Sequence, residues 1–226
     1  DLGAIGGLLF DIGCGRYPAP PLDSGGAENG TWSARLEEAR RQASELGKTA
    51  LAQEADDNSH AQVQGWLRDL GLALDFDVWI AANDRGRLLD GAALGTGCLD
   101  TLPAAIATSP GADSIRLIDV LWLDRATGKV SAAFEVEHST SIYSGIVRML
   151  DLALSGDEGH LAASLFLVAP DAREADVRTQ LSRPAFSRVS DLDLAYLPYG
   201  ELRSHREAIA RFGTGLKGIR EISRRL

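Results

Sequence analysis

The sequence predicts an α/β domain in which a mixed β-sheet is flanked by helices. Three observations predict it. Residues 115–138 hold two apolar runs, IRLIDVLWL and VSAAFEVEH, joined by the turn DRATGK, which is hairpin patterning. HLAASLFLVAP, residues 160–170, is an unbroken apolar run of the kind buried within a sheet. Segments of helical spacing precede the hairpin and separate the later strands.

The elements follow in order. Residues 1–30 include RYPAPPLDSGGAENG, whose Pro and Gly content reads as loop or linker. A helix is expected from near Thr31, with Thr31 or Ser33 as its N-cap. A second helix covers DDNSHAQVQGWLRDLGLAL, where Val63, Trp66, Leu67 and Leu70 recur at helical spacing and Ser59 offers a cap. FDVWIAA is a short strand closing in Asn83, Asp84, Arg85 and Gly86. Residues 86–113 are weakly patterned, with one helical turn expected in LPAAIATSP. After the hairpin, Ser139, Thr140 and Ser141 can cap a helix through SIYSGIVRMLDLALSG. The buried strand, a helix broken near Pro184, the strand LDLAYLPY and one basic C-terminal helix complete the chain. Residues 1–58 are thus expected to be an N-terminal loop and helical extension, and residues 59–226 the main domain.

Composition narrows the function classes. The chain has 226 residues, 45% hydrophobic and 24% charged, enough for a core without disulfides or structural metals. Cys14 and Cys98 form no CxxC pair, so a reducing cytoplasm is the expected location. No apolar run approaches the roughly 18 residues of a membrane span, and no membrane partner is expected. The net charge is −9, yet residues 202–226 carry seven Lys/Arg against two acids. That asymmetry suits either a solvated terminal helix or a phosphate-facing surface.

The hairpin carries the chemistry. Asp119 lies in its first run, and Glu135 and Glu137 in its second. Residues two apart on a strand share a face. Glu135 and Glu137 would share theirs with Ser131 and Ala133, leaving an uncrowded acidic side toward a cleft. Val130, Ala132, Phe134, Val136 and His138 would occupy the other, core side. Asp119 can join the glutamates from the neighbouring strand, depending on the turn. If Arg125 pairs with Lys129, Asp119 lies opposite Glu135. If Asp124 pairs with Lys129, Asp119 points away unless a bulge restores the parity. Clustered buried carboxylates call for a cation, and hard oxygen ligands suit Mg²⁺ or Mn²⁺.

At these residues the sequence resembles the PD-(D/E)XK, or restriction-endonuclease-like, nuclease superfamily. LID119VLW stands where that group has its Asp, and FE135VE137HS stands at its (D/E)-x-K, with Glu137 replacing Lys. The element order over residues 59–169 fits the same core. The resemblance implies a metal-dependent DNA endonuclease of the E-x-E kind. Asp119 and Glu135 would be metal ligands, the Val136 carbonyl an added ligand, and Glu137 the group that positions or deprotonates water. It implies DNA as partner, and a homodimer wherever two strands are cut. The alternatives are a catalytically inactive nuclease-like domain that binds nucleic acid or a protein, and a metal-dependent hydrolase of small phosphate compounds.

Further candidates surround this motif. Asp84 could be a fourth acid, although NDRG is equally good turn chemistry. His60 and Gln64, four apart on a helix, could face the cleft together or form a polar stripe. His138 fits a core or supporting role better than ligation. Arg85, Ser139 at a helix start and Arg148 are the phosphate-binding candidates, with an Arg148–Asp151 ion pair as the competing reading.

Overall fold

The structure is a computed structural model that describes residues 41, 59–138, 142–154, 163–183 and 192–226. The chain divides into two compact units, Asp1–Glu54 and Ala55–Leu226. Apart from a helical Arg41, every described element belongs to the second unit. Of the helix expected from Thr31 only Arg41 is described, and it is helical; the caps Thr31, Ser33, Ser139, Thr140 and Ser141 lie outside the described residues.

Helix α1 spans 59–73 and buries Val63, Gln64, Leu67 and Leu70, spaced to form one face. Asp75, in the left-handed region at φ 68°, turns the chain into β1, Phe76–Ile80. A small ribbon follows, β2 (Leu88–Leu89) with β3 (Ala92–Ala93), and then two short helices, α2 (Ala104–Ala107) and α3 (Ala112–Ile115). The hairpin comprises β4 (Val120–Asp124) and β5 (Val130–Val136). Helix α4 (Tyr143–Leu154), β6 (Ser164–Ala169), α5 (Glu174–Leu181) and β7 (Leu194–Pro198) follow. The chain finishes with α6 (Tyr199–Phe212), α7 (Lys217–Ile222) and a two-residue strand β8 (Arg224–Arg225).

Six strands form one mixed sheet in the order β1-β4-β5-β6-β7-β8. The β1/β4, β4/β5 and β7/β8 pairs are antiparallel, whereas β5/β6 and β6/β7 are parallel. This is the α/β, restriction-endonuclease-like architecture expected: a mixed sheet flanked by helices. One sheet face packs Val120, Trp122, Phe134 and Phe166 against Val63, Leu67, Leu70, Leu202 and Ile209. The other packs Leu121, Ala133, Leu165 and Leu167 against Ile115, Ile118, Ile146, Met149 and Val177. α1 sits close to the sheet because Gly71 lacks a side chain. A Cβ there would lie 2.5 Å from Trp122 Nε1, which donates to the Leu67 carbonyl at 3.0 Å.

Three departures from expectation stand out, the first being the β2/β3 ribbon, which falls in residues 86–113 where only one helical turn was expected. The first hairpin strand begins at Val120, because Ala112–Ile115 is helical. Ile115 and Ile118, three apart and both buried, satisfy a helical turn as well as they satisfy a strand pattern. Asp119 therefore immediately precedes β4. The basic C-terminal segment is two helices and an edge strand. Gly213 ends α6 with extended backbone, where a Cβ would meet the Ile209 carbonyl at 2.5 Å, and Gly215 turns at φ 54°.

Candidate active site

The C-terminal ends of β1, β5 and β6 and the N-terminal end of β4 share one end of the sheet, as the Ile80–Val120–Phe134–Phe166 register shows. Every acid of the hairpin motif lies there. The turn decides how they meet. Asp124 pairs with Lys129, its N–H donating to the Lys129 carbonyl at 2.9 Å. Leu123 then faces Val130, but Trp122 faces Ala132, so Ser131 is an extra residue in β5. This bulge restores the parity. One step beyond the Val120–Phe134 pair, Asp119 lies across from Glu135. The bulge also moves Val130 to the face of Ala133, not that of Ala132 as strict alternation predicted.

Asp119 is buried and tied on both sides. Its Oδ2 accepts the Val136 N–H at 2.7 Å, and its Oδ1 accepts Gln64 Nε2 at 3.3 Å. His60 Nε2 lies 3.5 Å from the same Oδ1. Asp84 sits in the turn after β1, where its N–H donates to the Ala81 carbonyl. Its Oδ2 accepts Gln64 Nε2 at 2.9 Å and lies 4.0 Å from His60 Nε2, while Oδ1 is 3.8 Å from Arg87. His60 and Gln64 reach this cluster together from consecutive turns of α1. Burial disfavours the His60 cation, but the Asp119 hydrogen bond and the charges of Asp119 and Asp84 outweigh it and raise the imidazole pKa.

The glutamates stand on the other side of Asp119. The expected open cleft over Glu135 and Glu137 is instead roofed by α4. Gly145 makes that approach feasible: a Cβ there would lie 3.1 Å from Glu135 Oε2 and 3.2 Å from Glu137 Oε1. Glu135 has no exposed surface. Arg148, one turn beyond Gly145, grips it bidentately, Nε to Oε1 at 2.8 Å and Nη2 to Oε2 at 2.6 Å. Arg148 thus turns to Glu135 across the sheet face rather than to Asp151. Burial above all, helped by the charges of Asp119 and Glu137, pushes the Glu135 carboxyl up, while the Arg148 fork opposes the shift and holds the ionised form. The hydrogen bond to Glu135 raises the Arg148 pKa in turn. Glu137 is buried too; its N–H donates to the Val168 carbonyl, and its carbonyl accepts the Tyr199 hydroxyl at 3.4 Å.

The remaining candidates are engaged as follows. Arg85 donates to the Leu99 carbonyl at 2.6 Å and to Asp100 at 2.9 Å, and lies over the Trp79 ring. The half-buried His138 receives Arg173 on its carbonyl at 3.1 Å, and its ring centroid is 5.9 Å from that of Tyr199. Gly145 and Tyr199 carried no sequence signal, since neither belongs to a motif and both act through proximity alone.

The donor set fits a hard divalent cation. His60, Asp84 and Asp119 each offer one atom within 4.8 Å of the others. The two buried carboxylates are held by the Gln64 amide, the Val136 N–H, His60 and Arg87. The fully buried Gln64 also has an Oε1 without a hydrogen bond among the described residues.

A mixed sheet flanked by helices, with buried carboxylates gathered at one end, fits the restriction-endonuclease-like class. The model of the C-terminal domain of the type II restriction enzyme NmeDI matches residues 41–219, and the chain belongs to that family. The type II restriction enzyme NmeDI of Neisseria meningitidis serogroup C is 32% identical over 146 residues. That match covers 62% of this chain and 40% of the relative, so less than half of the relative's length is represented. No solved structure matches the chain. Among the described residues, no helix is long and apolar enough to cross a membrane.

Proposed function

We propose that residues 59–226 form the catalytic domain of a DNA endonuclease of the restriction-enzyme kind, an E-x-E variant of the PD-(D/E)XK superfamily, with residues 1–58 as an extension. The cofactor is Mg²⁺ or Mn²⁺, the partner is duplex DNA, and the compartment is the cytoplasm. One observation carries this reading: Asp84, Asp119 and His60 converge at the end of the sheet, with Glu135 across from Asp119. The family and the named relative support it.

Asp119 and Glu135 would hold the ion with Asp84, and the Val136 carbonyl shares the strand edge of the amide that anchors Asp119. When bound, the ion supplies polarisation of the scissile phosphate and an activated water. Glu137 lies on the Glu135 side and would orient that water or take its proton. His60 and Gln64 hold Asp119 and Asp84 in place. Arg85 and Arg148 would serve phosphate only on leaving their present partners, Asp100 and Glu135; the third phosphate candidate, Ser139, lies outside the described residues. A homodimer would set two such sites against two strands.

Incubation of plasmid DNA with the protein tests this. Cleavage should require Mg²⁺ or Mn²⁺, stop with EDTA and be lost in Asp119→Asn and Glu135→Gln. Metal-independent cleavage, or equal cleavage by both variants, would overturn it. A second reading, an inactive domain that binds nucleic acid or protein, is favoured by the Arg148 fork, which already occupies both Glu135 oxygens. It predicts duplex binding without cleavage under any metal.

A further inference from the structure

We propose that Arg148 is a positioning residue that competes with the divalent cation for Glu135, holding the carboxylate in place until the cation displaces it. This rests on Glu135 being a metal ligand, as proposed above. A buried carboxylate with no partner is strongly disfavoured, so Glu135 needs a counter-charge whenever no cation is bound to it. Arg148 provides it, taking Oε1 with Nε and Oε2 with Nη2. The planar fork fixes the carboxylate plane as well as its charge.

The same contacts obstruct ligation. Both oxygens already accept a charged donor, and a divalent ion beside Glu135 would sit against the guanidinium. The two cations are therefore alternatives at this carboxylate. Arg148 is able to leave. Its side chain is 23% exposed whereas that of Glu135 is 0% exposed, so the guanidinium can swing toward solvent without opening the core. Gly145, one turn earlier on the same helix face, lets the helix approach Glu135 closely enough for the fork to reach it. Released, the guanidinium is a bidentate donor beside the scissile region, suited to a phosphate of the substrate.

The test is Mn²⁺ binding without DNA, followed by electron paramagnetic resonance and calorimetry on the full chain. Arg148→Met should bind Mn²⁺ about tenfold more tightly than the wild type, a gain of about 1.4 kcal/mol. Unchanged or weaker binding overturns the proposal, because a structural brace would loosen the site when removed. The double variant Glu135→Gln/Arg148→Met should lose the gain; a gain that persists overturns it. Should Arg148→Met fail to fold, Arg148→Lys keeps the charge without the fork, and its affinity should rise by a smaller factor. No increase in Arg148→Lys then overturns the proposal. Mn²⁺ binding gained only in the variants supports the competition. Absence of binding in every protein overturns the metal-dependent reading itself.

Discussion

Asp119 Oδ2 accepts the backbone N–H of Val136 at 2.7 Å, which ties the acid preceding β4 to the residue between Glu135 and Glu137. One carboxylate therefore both closes the hairpin end and faces the cluster. The two duties separate by substitution. Asp119→Asn keeps an acceptor and loses the charge; Asp119→Leu loses both. Asp119→Asn should retain most stability while cleavage falls by about 100-fold or more, as on losing one electrostatic stabiliser. Asp119→Leu should lose a further 1–3 kcal/mol or so from the unsatisfied Val136 amide. Chemical denaturation and plasmid cleavage, run in parallel, measure both effects.

Gln64 bridges Asp84 and Asp119 through one amide nitrogen. Gln64→Leu removes the donor and leaves two buried acids facing each other. The metal-free protein should lose about 1–3 kcal/mol. Mn²⁺ should restore more stability to this variant than it adds to the wild type, since the cation replaces the missing donor. Thermal melting with EDTA and with Mn²⁺ checks this. An equal metal-induced shift in both proteins would show that Gln64 has no part in charge balance.

Gly145 lies inside α4, where Ala would ordinarily gain about 0.5–1 kcal/mol of helix stability. Here the new Cβ would lie 3.1–3.2 Å from Glu135 and Glu137 atoms. Glu135 cannot yield easily, because it is buried and Arg148 holds both of its oxygens. Overpacking of this kind costs about 1–3 kcal/mol. Gly145→Ala should therefore melt lower than wild type and cleave DNA more slowly. A variant that melts higher would show the helix free to shift outward.

The pH dependence of stability follows from His60. Burial works against its cation, but the Asp119 hydrogen bond and the charges of Asp119 and Asp84 raise its imidazole pKa in the folded protein. Its contribution to stability is therefore present below the ordinary histidine value and lost as pH rises through the folded one. The slope approaches about 1.4 kcal/mol per pH unit at most, one proton's linkage. Denaturation in EDTA at a series of pH values should show stability falling as pH rises above about 6. His60→Gln should flatten that fall. A wild-type profile that stays flat there, or rises, would contradict the pairing of His60 with the two acids.

Much of the fold was legible because strands and helices announce themselves by period. FDVWI, VLWLD and SLFLVA are short apolar runs bounded by turns, and all three are strands. Val63, Leu67 and Leu70 define the buried face of α1 from spacing alone. The start of β4 was misread because Ile115 and Ile118 suit either period. The break in the C-terminal helix was missed because Gly213 and Gly215 act through close approach and backbone angle. Neither is a matter of hydrophobic pattern.

In the site, the sequence singled out Asp84, Asp119, Glu135 and Glu137 because carboxylates inside or beside apolar strands need a reason to be there. His60 and Gln64 were legible as a helical pair, but their destination was not. That Arg148 would bind Glu135 could not be read, since a contact between a helix and the strand before it depends on how closely they pack. Gly145 sets that distance.

The sequence alone determined most of the strand and helix types and the supply of acids near one hairpin, because periodicity and composition are local properties. The tertiary structure decided the rest. The bulge at Ser131 set which side of the sheet Asp119 faces, a one-residue matter to which the pattern of the turn was indifferent. The packing of α1 and α4 brought His60, Gln64 and Arg148 to carboxylates far away in sequence, because the charge balance of a buried site is settled by distance in space.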